Sequence, residues 1–398
     1  MKKLNILFQT PSYLPINGGI QQSTHELAKE LIKQGHDISV ICEKTSSDLK
    51  DYEIMNNIKV YRFPKISLPF YFKSMSFGYK KKKIHEFLKE FLKDKQYDLI
   101  VSRFPFFVEP TKKINPNTPL IFLQPSVVYI ATKKVRENSK NWIVKFNQII
   151  RTIDMFNMEK KAINLADLIL VRNNAMKKID IDKLDGDENK FGLFTQGVDH
   201  KRFKYGVKMK KFIKEMNLEN KKIILTVSRL SSDKNNKGLV KIFSEIKEPE
   251  VVLVIVGGGG DYDEIKKMSI KLGIQNRVIL TGDRKDVEKF YNIADIFILA
   301  SKQEGFGNVF LEAMASGLPI LGFKANPPKI VTAVQEIANK NQAGFAVENE
   351  KEMIEKINLL LNNEKLRRKM SDFALKESKK YTWENMTKII IDSYKKIK

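Results

Sequence analysis

Short apolar runs alternate with longer amphipathic stretches along most of this chain. Leu4–Phe8 is the first apolar run. A loop from Pro11 to Gly19 leads to Ile20–Gln34, whose apolar positions recur at helical spacing, and Gly35 closes that helix before the run Asp37–Cys42. Further strands are predicted at Ile58–Arg62, Leu99–Ser102, Leu120–Leu123, Leu168–Val171 and Phe191–Phe194. Helices are predicted at Tyr79–Lys93, Asn138–Asn164 and Asn173–Ile179, and the acidic, glycine-containing Asp180–Glu188 reads as a surface turn.

After a connector, Gly197–Phe203, the alternation starts again. Strands are predicted at Ile223–Val227, Val251–Val256, Val278–Leu280, Ile296–Ala300 and Pro319–Gly322. Helices fall near Lys237–Ile246, Tyr262–Leu272, Lys285–Ile293 and Asn308–Ser316, followed by a helical tail from Lys351 that carries Trp383. Strand–helix alternation of this kind means parallel sheets covered on both faces. The pattern therefore predicts two doubly wound α/β domains, with ligands outside the carboxyl ends of the strands and in a cleft between the domains.

Composition agrees with this. The chain has 398 residues, 42% hydrophobic and 30% charged, which suits two domains of ordinary size. One cysteine, Cys42, excludes an internal disulfide framework and suits a reducing compartment. The apolar run near the amino end is too short for a signal peptide, and no run is long enough to span a bilayer, so the expected location is cytoplasmic. The net charge of +24 is uneven: Lys59 to Arg151 holds 20 Lys/Arg against 6 Asp/Glu. Within it, Lys65–Lys83 interleaves aromatics with lysines. That suits peripheral contact with an anionic membrane as well as a plain solvated face; the lysines lack the spacing of a nucleic-acid module, so no nucleic-acid partner is expected.

The chemistry concentrates at Ser301–Pro319. Gly305 and Gly307 let the backbone approach a ligand closely. Asn308 is the expected cap of a short apolar helix whose first N–H groups point the same way, so an anion is expected at Gly307 to Phe310. Glu304 and Glu312 flank that point. Carboxylates repel phosphate but accept from hydroxyls, so the ligand has a phosphate centre with a hydroxylated ring on either side, as a nucleotide sugar does.

Other loops after strands can serve the same ligand. Arg229 and Lys234 supply cations suited to a diphosphate. Thr281-Gly282-Asp283-Arg284 can hold a base through its backbone, with Arg284 over it. Gly257–Gly260 reads equally as a flexible turn or a ligand contact, and Asn17-Gly18-Gly19 offers backbone N–H groups at a helix start. The four histidines lack metal-ligand spacing, so no metal is expected; only His25 lies within reach of the Gly18–Gly19 loop. Hydrolase, zinc-protease and dinucleotide motifs are absent.

Taken together, these residues resemble the retaining GT-B glycosyltransferases of the family 4, group 1 type, which serve lipopolysaccharide, capsule and glycolipid synthesis. The resemblance rests on Gly18-Gly19, Gly197-Val198-Asp199 with Phe203, Ser228-Arg229-Leu230 with Lys234, Thr281-Gly282, Ala294-Asp295, and Glu304 with Glu312 running into Ala313-Met314-Ala315-Ser316-Gly317-Leu318-Pro319. It implies an acceptor domain over residues 1–205, a nucleotide-sugar domain over 206–380, and a helix over 381–398 crossing back to the first.

The resemblance further implies that Arg229 and Lys234 hold the diphosphate and that Glu304 contacts the donor sugar beside Gly305, Phe306 and Gly307. Val309 and Phe310 would lie by the phosphates, Glu312 would take the ribose, and Gly19 would approach the diphosphate. Such enzymes need no metal cofactor. Two places depart from the family pattern. Gln124 and Ser126 stand where a histidine is common, and one or the other is expected to make its contact with sugar or acceptor, with His25 a further candidate. Asn326-Pro327-Pro328-Lys329 replaces a glycine pair and a glutamate. A sugar-nucleotide epimerase of similar architecture, or a basic nucleotide- or nucleic-acid-binding protein, are the alternatives.

Overall fold

The computed structural model describes residues 2–16, 18–66, 76–130, 142–206 and 209–398. Residues 67–75 of the basic-aromatic stretch, Asn17, and residues 138–141 of the predicted Asn138–Asn164 helix lie outside them. The chain divides into two compact units, residues 1–195 with 383–398, and residues 196–382.

The first unit carries an eight-stranded sheet ordered β3-β4-β2-β1-β5-β6-β7-β8. Its strands are β1 (Asn5–Gln9), β2 (Asp37–Glu43), β3 (Tyr52–Met55), β4 (Ile58–Phe63), β5 (Leu99–Ser102), β6 (Leu120–Leu123), β7 (Leu168–Val171) and β8 (Phe191–Leu193). Every pairing is parallel except β3 with β4. Sequence reading misses β3, because its residues are exposed or half-buried at the sheet edge and give no apolar run. Among the described residues, helices α1 (Gly19–Lys33), α2 (Ser76–Leu92), α3 (Pro105–Ile114), α4 (Trp142–Leu165) and α5 (Asn174–Leu184) accompany this sheet.

Helix α1 buries Thr24, Leu27, Ala28 and Leu31 on one face. It stops at Gly35, whose φ of 92° few side chains tolerate. Helix α5 is capped by Asn173, whose Oδ1 accepts from the Met176 N–H at 2.8 Å. It runs through Asp180 to Leu184, so the predicted turn at Asp180–Glu188 begins too early: Asp180 is fully buried inside the helix.

The second unit has six parallel strands ordered β11-β10-β9-β12-β13-β14: β9 (Lys222–Val227), β10 (Val251–Val256), β11 (Val278–Leu280), β12 (Ile296–Leu299), β13 (Ile320–Phe323) and β14 (Gly344–Val347). Its helices are α6 (Lys210–Glu215), α7 (Asn236–Ser244), α8 (Tyr262–Lys271), α9 (Val287–Ile293), α10 (Asn308–Ala315), α11 (Val334–Ile337), α12 (Glu350–Asn362) and α13 (Glu364–Ser378). Alternate residues of the central strands feed two apolar cores. Leu225, Val254 and Phe297 enter one; Ile224, Leu253 and Ile298 enter the other.

The connector Gly197–Phe203 belongs to this second unit rather than the first. Val198 and Phe203 join its core, and the Val198 N–H donates to the Tyr381 carbonyl at 3.0 Å. The last helix, α14 (Trp383–Ile397), belongs to the first unit. It buries Met386, Ile390, Ile391 and Tyr394 with Leu4, Phe8 and Leu27, and Gln34 Nε2 donates to Thr387 Oγ1 at 2.7 Å.

Candidate functional site

In the second unit the segment after β12 is pinned before it reaches α10. The Glu304 N–H donates to the Val331 carbonyl at 2.7 Å, and the Val331 N–H to Lys302 at 3.0 Å. Gly307 then turns the chain with φ 82°, and a Cβ there would lie 2.7 Å from the Phe310 ring. Gly307, not Asn308, is the N-cap of α10; a left-handed cap position favours glycine, and Asn308 becomes the first helical residue. The N–H groups of Asn308 and Val309 therefore open the helix with no carbonyl of their own helix to meet. The rings of Phe306 and Phe310 are core side chains, packed on Tyr381 and Phe297 respectively, and the Phe310 ring also lies against Gly307.

Glu304 meets Lys234 directly, Nζ to Oε2 at 2.6 Å, with both side chains largely shielded. Lys234 closes a single 3₁₀ turn after β9, and Asn235 in the left-handed region redirects the chain into α7. Arg229, on the same loop, is exposed, with a guanidinium nitrogen 3.9 Å from Asp233. One turn into α10, Glu312 Oε2 accepts from the Tyr291 hydroxyl at 2.8 Å. Burial raises the Glu312 carboxyl above the usual range, while the Tyr291 bond and the charge of Arg202 oppose the rise.

The loops leaving β9, β10 and β11 are sewn together. A Cβ on Gly257, φ 136°, would lie 2.0 Å from the Ser228 carbonyl oxygen, and one on Gly259, φ 148°, 2.4 Å from that of Leu230. These glycines let one loop lie flat on the other, which the Leu230 N–H secures by donating to Gly258 at 2.8 Å. The Gly257 N–H donates to Gly282, and the Gly258 N–H to Asp283 Oδ1. Arg284 reaches Asp286 through two bonds of 2.9 Å and lies over the Phe290 ring; that pairing holds the Asp286 carboxyl down at about 2.

In the first unit, Gly18 caps α1 with an extended backbone, φ −164° and ψ 162°, and no side-chain cap bond. Any residue adopts that conformation, and a Cβ there would meet only the flexible end of Gln21. His25 is buried, with Nδ1 2.7 Å from the Tyr13 hydroxyl and Nε2 3.2 Å from the Asn56 amide, so both ring nitrogens are engaged; burial lowers its pKa. Gln124 is fully buried, and its amide nitrogen lies 3.5 Å from Asp180 Oδ1. Ser126, on the same loop, is exposed.

Sequence reading misses the charges around Gln124. Glu159, from α4, is fully buried and accepts the N–H groups of Val128 and Tyr129 at 2.6 and 2.8 Å. Burial pushes it up to about 7, against those bonds. Burial, and then the neighbouring Glu159, push the Asp180 carboxyl well above its usual range. Arg103, just past β5, is fully buried, and Arg172, just past β7, lies with its guanidinium over the Phe194 ring. Both stand at the end of an apolar strand, with no motif to reveal them. In the second unit, sequence reading also misses Tyr291, on a helix, and Arg202, in a polar run.

Of the lysines from 80 to 83, Lys80 pairs with Glu43, Lys81 with Glu109 and Lys83 with Glu86, while Lys82 is exposed. Among the described residues no helix is long and apolar enough to cross a membrane, and no three His, Cys, Asp or Glu gather as metal ligands.

Two family models match the chain almost end to end: "Glycosyltransferase Family 4" over residues 17–202 and "Glycosyl transferases group 1" over residues 208–377. An uncharacterized glycosyltransferase of Haemophilus influenzae is 27% identical over 96% of both chains. The alpha-monoglucosyldiacylglycerol synthase of Streptococcus pneumoniae is 26% identical over 78% of this chain and 69% of its own. Among solved structures, Anabaena HepE, crystallised with UDP and glucose, superposes with a TM-score of 0.73 at 19% identity, covering 98% of this chain and 99% of its own. That likeness is one of fold.

Proposed function

The chain belongs to the group 1 glycosyltransferases and has their two-sheet GT-B fold, and on that premise we propose that it is a retaining enzyme. It moves a hexose or related sugar from a nucleotide diphosphate to a hydroxyl of a glycan or lipid-linked acceptor in cell-surface polysaccharide or glycolipid synthesis. The observation that carries the reading is the Lys234–Glu304 pair at the mouth of the α10 start. A cation for phosphate, a carboxylate for sugar hydroxyls and a helix start with free N–H groups stand side by side there. The S. pneumoniae synthase, by its name a glycolipid enzyme, supports a lipid-linked acceptor.

In this reading Arg229 and Lys234 bind the diphosphate, together with the main-chain N–H groups of Asn308 and Val309 at the start of α10. Glu304 takes hydroxyls of the transferred sugar. Glu312, oriented by Tyr291, takes the ribose hydroxyls, and the backbone at Gly282 receives the base, with Arg284 at its edge. The Gly18–Gly19 start of α1 receives phosphate oxygens. Of Gln124, Ser126 and His25, Ser126 carries the exposed hydroxyl suited to the acceptor, while the engaged atoms of the other two shape its surroundings. In the transfer, the bond from the sugar's anomeric carbon to the diphosphate oxygen breaks. The acceptor oxygen bonds that carbon on the same face, and its proton passes to the leaving diphosphate. Fixed cations and helix N–H groups stabilise the leaving charge without a metal. Contact with an anionic membrane through the basic face of the first unit places the enzyme beside a lipid-linked acceptor.

Glu304→Gln and Arg229→Ala, assayed against a panel of sugar nucleotides, should each lower turnover by about a hundredfold. Unchanged turnover in both would remove the site assignment.

A further inference from the structure

Arg103 is a buried cation that the fold leaves without an opposite charge. Its side chain is fully inaccessible, and among the described residues it pairs with no carboxylate. The charge nearest in effect is the like charge of Arg172, and burial and that neighbour both lower its pKa. Its Nη1 donates to Thr24 Oγ1 and its Nη2 to Ser23 Oγ, each at 3.0 Å, while its Nε has no hydrogen-bond partner. Both hydroxyls donate their own hydrogen to the Ile20 carbonyl, at 2.7 and 3.0 Å. The guanidinium is thereby tied to the opening turn of α1.

That opening turn is itself electropositive and uncompensated. It has no acidic residue, and its cap, Gly18, brings no side-chain acceptor. A positive helix start with a desolvated guanidinium behind it is costly while nothing negative answers it. A neutral residue of similar length would fill the same volume more cheaply, so the arrangement suits a group that is negative when bound.

We propose that Arg103 is a positioning residue for a phosphate anion received at the Gly18–Gly19 start of α1: it fixes the first turn through Ser23 and Thr24 and adds buried positive charge beneath it. The inference rests on the transferase reading for the source of that anion, either the donor diphosphate or a phosphate on the acceptor.

The test compares full-length wild type with Arg103→Met and Arg103→Lys in thermal unfolding and steady-state kinetics. The Met variant should melt at the same or a higher temperature, since it removes an unpaired buried charge. Its turnover should fall roughly ten- to a hundredfold, with Lys recovering part of the loss. If the anion is the donor diphosphate, slow donor hydrolysis without acceptor falls in parallel with transfer. If it is the acceptor's phosphate, hydrolysis stays and the acceptor KM rises. A lower melting temperature with turnover per folded molecule unchanged would make Arg103 purely structural and overturn the proposal, as would full activity in the Met variant. Should wild type use no donor of the panel, the transferase reading fails and pyrophosphate titration decides. A Kd weakened about fivefold or more by Arg103→Met keeps the anion site, and an equal Kd ends it.

Discussion

The two units arrange charge at the carboxyl edge of a parallel sheet in opposite ways. In the second unit the charged loops rest on glycines. Lys234 and Glu304 answer each other, Arg229 faces solvent, and the loops carrying them rest on Gly257 and Gly259 at distances no side chain allows. In the first unit the charges are underneath. Arg103, Glu159, Asp180 and Arg172 are buried at or beside the strand ends, and the glycine that caps α1 has an ordinary backbone. The difference shows where each edge is vulnerable: the second in its main chain, the first in its ionisation.

The largest effect should come from a methyl group. Gly257→Ala places a Cβ against the Ser228 carbonyl in a backbone region that excludes it, and should destabilise the protein by about 3–5 kcal/mol in denaturant unfolding. Gly18→Ala, in the first unit, should change stability by less than about 0.5 kcal/mol while still lowering activity. Equal stability losses at the two glycines would erase the contrast.

Next comes pH. The Glu159 carboxyl is raised from 4.5 to about 7 in the folded chain. Below about pH 4.5 it is protonated in both states and makes no difference. Between that pH and about 7 the unfolded chain ionises first, so this group progressively lowers stability as pH rises, by up to about 3 kcal/mol, and the loss then stays constant. Asp180 acts in the same direction. The stability of wild type minus that of Glu159→Gln should therefore fall across this window. A difference independent of pH would mean that Glu159 is ionised throughout.

The smallest effect concerns charge left in water. Lys82→Ser should weaken binding to anionic vesicles by about 1 kcal/mol and leave binding to neutral ones unchanged, read by co-sedimentation. Equal binding of wild type to both vesicle types would remove the membrane reading.

The same contrast explains what the amino-acid sequence reveals. Glu304, Gly305, Gly307 and Glu312 lie within nine consecutive residues, so their joint chemistry is readable before any fold is known. The cap residue is harder. Asn308 has the right side chain, but the left-handed turn falls one residue earlier, where glycine is favoured. Lys234 and Glu304 stand far apart in the chain, and only the return of the sheet makes them neighbours. Arg103, Glu159 and Asp180 are harder again. A single polar residue next to an apolar run is ordinarily a surface residue, and the acidic neighbours of Asp180 disguise a helix as a turn. Gln124 stands out in the sequence by its position, while the inward direction of its amide nitrogen, toward Asp180, does not.

Helix α14 has a consequence for how the protein is made. Translation delivers residues 196–382 as one uninterrupted piece, so the second unit has every segment of its own core before Trp383 leaves the ribosome. The first unit begins earlier and is completed later. Leu4, Phe8 and Leu27 must wait for Met386, Ile390 and Tyr394 to cover them. The amino-terminal domain commonly folds first during synthesis, but here its core is complete only after the second unit's. The nascent chain carries an unfinished apolar face through the whole synthesis of its second half, and that face is what a ribosome-associated chaperone would meet.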